Sequence, residues 1–366
     1  MGGFKIINMR IHHFLLIVFI VSCTPESNFK SIKYLDPHFV NESFDDWIQL
    51  EQSFFLEIPD SIVVGVIKQI EFTDSLIYLL EDGITSSILV FDREGDFKRQ
   101  LLKLGSGPGE YVQIDLFVFD KNHISIYDRT QMKLIKYSLK DFSVFQAFDI
   151  EDYLVGALSV PNTSSLFFVS DTDVETGIQK GYGFSKEDFT NLKFKPQFSG
   201  FIEGFLPQSI SHFGENYFLV QPFSDKVYQI GKDSIYLVDR IDFGSKRIPE
   251  KVSTFDRAED LYEILSSDSY FFAPTNLLVR DSIISFNFFN ETIDNLNFGL
   301  IQNGKAYRFS IDSNLKEFFL KPITVREDLL HTVLLPGEYN EEIIELLNLT
   351  KDDNEKPILV SYTIGQ

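Results

Sequence analysis

The chain repeats itself at an interval near 47 residues. Short runs of apolar, strand-favouring residues follow turn signals four times: 76–79 after Asp74 and Ser75, 124–127 after Lys121 and Asn122, 217–220 after Gly214, Glu215 and Asn216, and 283–286 after Asp281 and Ser282. One or two places before each turn stands an apolar residue: Phe72, Phe119, Phe213 and Val279. Phe72 to Phe119 is 47 residues, and Phe119 to Phe213 is 94, two such intervals. A unit this short cannot bury its apolar face alone and must stack on copies of itself; a period near 45 is that of one four-stranded propeller blade. Val279 follows Phe213 by 66 residues, and the excess falls on 244–272, where 256–265 reads as a short helix with Leu261, Ile264 and Leu265 on one face. That stretch is expected to lie outside the regular blades.

The second hairpin of each unit is also legible. Ile88 to Phe91 run into Asp92, Arg93, Glu94, Gly95, Asp96 and then Phe97, and Leu134 to Tyr137 run into Lys140, Asp141 and Phe142. Further turns fall at 231–234 and at Asn303-Gly304, a strong two-residue hairpin signal. Near-continuous apolar runs suit strands pressed between blades, and the alternation of Ile135, Tyr137 and Leu139 with Lys136 and Ser138 suits an outer strand. Aromatics make up 15% of the chain, with 38 Phe and 15 Tyr, residues that fit a pleated, half-buried surface. The expected fold is all-β, a six-bladed β-propeller of four-stranded antiparallel blades; seven blades also fit if the insertion is misread. Residues 338–349 have helix composition, and 357–362 read as a closing strand. Because an open edge invites aggregation, that strand is expected to share a blade with a strand near 48–67, sealing the ring through its two chain ends.

Cys23 is the single cysteine of 366 residues. It closes the run Ile20, Val21, Ser22, Cys23 behind the apolar segment 14–20, with Lys5 and Arg10 before it. That is the layout of a bacterial lipoprotein signal: a basic start, an apolar stretch too short to span, and a small residue before an acylatable thiol. The expected organisation is a signal peptide over 1–22, an N-terminal extension over 23–47 and the propeller over 48–366, held to the cell envelope, by preference the outer membrane, through acyl chains on Cys23. An ordinary buried thiol is the alternative.

The formal net charge is −21. Such an excess of carboxylates repels phosphate backbones and anionic headgroups, so nucleic acid is not an expected partner and membrane contact is expected through the lipid alone. The plainest reading of the charge is a solvated acidic surface. His38, His123, His212 and His331 show no metal-pair spacing and neighbour no nucleophile motif. Asp171, Asp173 and Glu175, followed by Gly177, alternate like the oxygen donors of a calcium loop, but the Gly comes one place late and Tyr182 stands where a closing Glu belongs. Calcium at those residues competes with an ordinary acidic hairpin; no other cofactor is indicated. Trp47 beside Asp45 and Asp46 is either a sugar-stacking platform or, by preference, the residue that packs the extension onto the propeller.

Gly105, Ser106, Gly107, Pro108, Gly109, Glu110 and Tyr111 lack the Lys and Ser or Thr of a phosphate loop, and Val112, Ile114, Leu116 and Val118 continue as strand, not helix. The run resembles the interblade loop of the bacterial six-bladed β-propeller lipoproteins, relatives of the TolB-like and NHL-type propellers. The resemblance implies an outer hairpin at 90–97, a structural crossing loop at Gly105, Gly107, Pro108, Gly109, Glu110 and Tyr111, and a next blade from Leu116 to Tyr137. It also implies structural roles for Asp128 and Lys133. One departure lies near the end: the Asp-Asn-Pro that such proteins often carry is here Asp353 and Asn354 separated from Pro357 by Glu355 and Lys356.

Propeller relatives include lactonases, lyases and scaffolds, so the resemblance does not select an activity. Two readings stand. One is a binding or scaffolding module, monomeric, for a protein, peptide or glycan; the other is a metal-dependent hydrolase or lyase with its site at the axial channel mouth. The absence of catalytic motifs favours binding.

Overall fold

The computed structural model describes residues 30–40, 44–120, 122–150, 153–160, 165–170, 181–186, 194–195, 209–213, 216–220, 224–254, 258–267, 269–280, 283–310, 317–350 and 356–365. Their strands form six sheets. Strands of the first four blades run in chain order, occupying 67–101, 116–149, 154–195 and 209–242. The fifth spans 271–310. In the sixth, Thr324–Arg326, Leu329–Leu334 and Ile358–Ile364 are completed by Ile48–Phe55, which pairs antiparallel with Ile358–Ile364. The chain ends therefore share one blade, as the sequence predicts. There are six blades, not seven, because the 244–272 excess is an insertion: two short 3-10 turns and the helix Ala258–Ser267, seated on Phe272 and Ala273 through Val252 and Leu265.

The repeat markers fall where their role demands. Phe72, Phe119 and Phe213 end the innermost strands of the first, second and fourth blades, and Val279 lies near the end of the innermost strand Phe271–Arg280 of the fifth. Each pair of neighbouring blades shares an apolar cluster. Tyr78 and Val90 of the first meet Phe117 and Ile135 of the second; Leu134 and Phe148 meet Leu154 and Phe168 of the third. Phe167 meets Tyr228 of the fourth, Val227 meets Phe286 of the fifth, and Phe298 meets Tyr362 of the sixth. Val333 and Leu359 of the sixth then meet Ile77 and Phe91 of the first, which closes the ring. Each fully buried aliphatic or Phe side chain contributes about 1.5–3 kcal/mol, so these interfaces carry most of the stability.

The strand Lys133–Ser138 is the third of four, not the outermost; Val144–Asp149 lies outside it. Its alternating polar position is buried nonetheless: Lys136 reaches the Asp120 carboxylate, which offsets the cost of covering an ammonium. Middle strands such as Ser87–Asp92 are apolar on both sides because a neighbouring blade covers each face.

The N-terminal extension adds strands of its own. Lys30–Lys33 pairs in parallel with 239–242 at the outer edge of the fourth blade, and His38–Phe39 pairs in parallel with 307–308 at that of the fifth. The short helix Glu341–Leu346 is capped by Asn340, whose side chain accepts from the Ile343 amide. No helix among the described residues is long and apolar enough to cross a membrane.

Candidate functional site

The centre of a propeller is where its innermost strands meet, and among the described residues an ion pair there joins two of them. Arg326, on the innermost strand of the sixth blade, donates from Nε to Glu71 Oε2 at 2.9 Å and from Nη2 to Oε1 at 2.6 Å, a fork-on-carboxylate geometry. Glu71 belongs to the first blade. Arg326 Nη1 also reaches the Ile210 carbonyl of the fourth blade at 3.3 Å and its neighbour's carbonyl, Val325, at 2.8 Å. Gln69 continues the chain of contacts: its Nε2 donates to the Phe117 carbonyl of the second blade at 2.8 Å, and its Oε1 accepts from the Phe117 amide at 3.1 Å. A side-chain amide thus imitates a strand neighbour between two innermost strands. Burial opposes the Arg326 charge, but the Glu71 carboxylate outweighs it and holds the guanidinium firmly protonated. Both Glu71 oxygens are thus engaged by the guanidinium.

His331 supports this centre from behind. Its Nε2 lies 2.9 Å from the Arg326 carbonyl, so that nitrogen donates, and Nδ1 accepts from the Ser361 hydroxyl at 2.9 Å. Burial pushes the imidazole down to about 4, which keeps it neutral at ordinary pH. A neutral, doubly engaged histidine orients the hairpin that carries Arg326.

The loops on one side of the first and second blades are pinned by buried carboxylates. Glu81 has no exposed surface, and its oxygens accept from the amides of Gly65, Gly83, Ile84 and Thr85 and from the Thr85 hydroxyl, at 2.6–3.2 Å. Burial disfavours its charge, yet these donors prevail and its carboxyl sits below the usual range. Asp128, equally buried, accepts from the Val112 amide at 2.7 Å and from the Gln131 amide at 2.9 Å. Gln131 in turn reaches the Gly105 and Glu110 carbonyls at 3.2 Å. In the loop Gly105–Tyr111, Glu110 accepts from the Gly107 amide at 2.9 Å, while the Tyr111 and Tyr137 hydroxyls donate to the Leu101 and Gly109 carbonyls at 3.0 Å. The glycine run therefore cradles the chain's own carboxylate and leaves no anion cradle for phosphate.

These braced loops present apolar tips to solvent. Val66 is 62% exposed and Ile84 59%, and Val63, Leu102, Leu104 and Val112 are also exposed. They are neighbours: Asp82 donates to the Val66 carbonyl at 2.9 Å, a Cβ on Gly65 would stand 3.1 Å from Ile84, the Ile114 amide meets Ser86 Oγ at 2.8 Å, and Leu104 bridges Tyr111. The sequence singles out none of these residues, although Ile84 between Gly83 and Thr85, an apolar residue in a turn, is a signal of the patch.

The other candidates disperse. Cys23, Asp171, Asp173 and Glu175 lie outside the described residues. Trp47 is buried against Tyr307 and Phe309, ring centroids 4.8 and 5.3 Å away, and has no face for a sugar. His123 opens the strand His123–Asp128 of the second blade, 3.0 Å from Asp120, His38 is on the added strand of the fifth blade, and His212 is on the innermost strand of the fourth. Among the described residues, no three His, Cys, Asp or Glu side chains are placed to hold a metal.

None of the curated proteins matches the chain. Among solved structures it is similar to a putative exported protein of Bacteroides fragilis NCTC 9343, 18% identical, with a TM-score of 0.70 over 92% of this chain and 100% of that one. The hydrazine synthase of Kuenenia stuttgartiensis is a distant likeness, 10% identical, with a TM-score of 0.39 over 70% of each chain. The family described as DUF5128, 6-bladed beta-propeller, matches residues 27–336. With six sheets in a closed ring and that match over most of its length, the chain belongs to this family of six-bladed β-propellers.

Proposed function

We propose that the protein is an envelope lipoprotein, anchored through Cys23 in the outer membrane, whose propeller docks a protein or peptide on the loops of its first two blades. One observation carries the docking: apolar tips from Val66, Ile84, Leu104 and Val112 stand exposed on loops that Glu81 and Asp128 hold rigid. Rigid, exposed apolar groups with a polar surround are what a docking surface presents, since little conformational entropy is lost on binding. The anchor is supported by the order of basic, apolar and small residues before Cys23, and the B. fragilis neighbour is itself named as exported. A kinship with TolB-like and NHL-type propellers is supported by the role of Asp128 in bracing the interblade loop.

The test is a photoreactive side chain at Ile84 or Leu104 in living cells, with Tyr236, exposed on the fourth blade, as the control. The proposal expects a discrete protein adduct at the first two positions and none at Tyr236; equal smears, or no adduct at any position, would overturn it. Mass spectrometry of the N-terminal peptide tests the anchor separately, and an unmodified Cys23 would end that part alone.

A further inference from the structure

We infer that the rim formed by residues 33–39, where the extension passes from the fourth blade to the fifth, is a phospholipid-contacting surface that sets the propeller on edge against the bilayer. The inference rests on the Cys23 anchor proposed above. Six residues, seven Cα–Cα steps, separate Cys23 from Lys30, where the extension joins the fourth blade. A chain of that length reaches at most about 25 Å when fully extended. Acylation of Cys23 therefore keeps this rim within that reach of the headgroups, nearer than the blades across the ring.

The rim has the composition of an interfacial contact. Leu35 and Phe39 are 44% and 50% exposed, although each follows a strand that is anchored to a blade edge or belongs to one. Leu35 lies over Gly244, where a Cβ would come within 2.5 Å of its Cδ2, and so borders the turn bearing exposed Lys246 and Arg247. The Arg308 guanidinium stacks on Phe39, 3.8 Å from the ring centroid, and Lys33 and Lys305 are exposed nearby. Asp36 and Glu250 are exposed acids among them, and Arg247 pairs with Glu250 and Asp225, so the basic excess rests on Lys33, Lys246, Lys305 and Arg308. Apolar tips bracketed by basic groups favour the boundary between acyl chains and phosphates. In a chain of net charge −21, most of the surface is repelled by anionic lipid, so a locally basic rim also selects the side that approaches. The ring order adds a consequence: in six blades the first and second lie opposite the fourth and fifth, so the apolar loop tips lie on the half of the ring far from the membrane.

The test uses the full acylated chain in phosphatidylethanolamine–phosphatidylglycerol vesicles with brominated acyl chains, which quench tryptophan at the interface. Phe39→Trp and Leu35→Trp are the probes, Phe145→Trp on the outer strand of the second blade is the control, and the signal of buried Trp47 is subtracted using the parent chain. The expected result is at least about twofold quenching at 39 and 35 and none at 145, as for side chains seated at the interface. If Cys23 is acylated and neither probe is quenched more than the control, the rim inference falls while the anchor stands. If emission at 39 shifts blue with protein concentration and without lipid, a second copy covers the rim and the lipid assignment is wrong. An unmodified Cys23 removes both.

Discussion

Glu81 and His331 show how single side chains govern this molecule. Glu81 satisfies five donors from two loops. Its replacement by Ala strands those amides, and Glu81→Ala is expected to cost about 2–4 kcal/mol in chemical denaturation. Because its folded carboxyl titrates below the usual range, its contribution is present at neutral pH and is lost as pH falls from the ordinary carboxylate range through the depressed value. His331 acts in the same direction for a different reason. Folding lowers its pKa from 6.5 to about 4, so the unfolded chain binds the proton first and stability falls as pH drops between those values. The loss amounts to roughly 3 kcal/mol by pH 4, at 1.36 kcal/mol per unit. His331→Gln is expected to flatten the stability profile between pH 6.5 and 4; an unchanged slope there would contradict the burial account.

Among the elements, the interblade loop at 105–111 is the most constrained. Gly109 has φ +79° and a Cβ there would meet Val144 Cγ2 at 2.2 Å, whereas Gly337 has φ +91° and nothing within 4 Å. Gly337→Ala is expected to cost about 1 kcal/mol, the backbone term alone. Gly109→Ala is expected to cost about twice that or more, with part recovered in the Val144→Ala background, a coupling that a double-mutant cycle reads directly. Equal losses at the two glycines would mean that the loop does not pack on the second blade. The elements were largely legible because the turn signals and the apolar residue before them recur with the blade: Phe72, Phe119 and Phe213 each end an innermost strand. The strand Lys133–Ser138 misled because alternation reports which side chains are apolar, not which are covered, and Lys136 is covered by pairing with Asp120. The apolar patch and the centre were illegible for another reason. Arg326 and Glu71 are 255 residues apart, and only closure of the ring brings them together.

The whole molecule depends on that closure. Arg326→Ala is expected to leave the partly buried Glu71 carboxylate with only the Gln69 amide as a partner and to cost about 2 kcal/mol, less if Glu71 is replaced by Gln in the same chain. Additive losses would contradict a shared centre. Closure itself has one direct measurement. Gln49 and Thr363 are cross-strand partners in the sixth blade, from opposite ends of the chain. In a Cys23→Ala background, Gln49→Cys with Thr363→Cys is expected to form a disulfide under mild oxidation and to raise the unfolding midpoint, since antiparallel partners lie about 4.5–5.5 Å apart at Cα, within bridging distance. Two thiols that stay free in the folded protein would show that the chain ends do not share a blade.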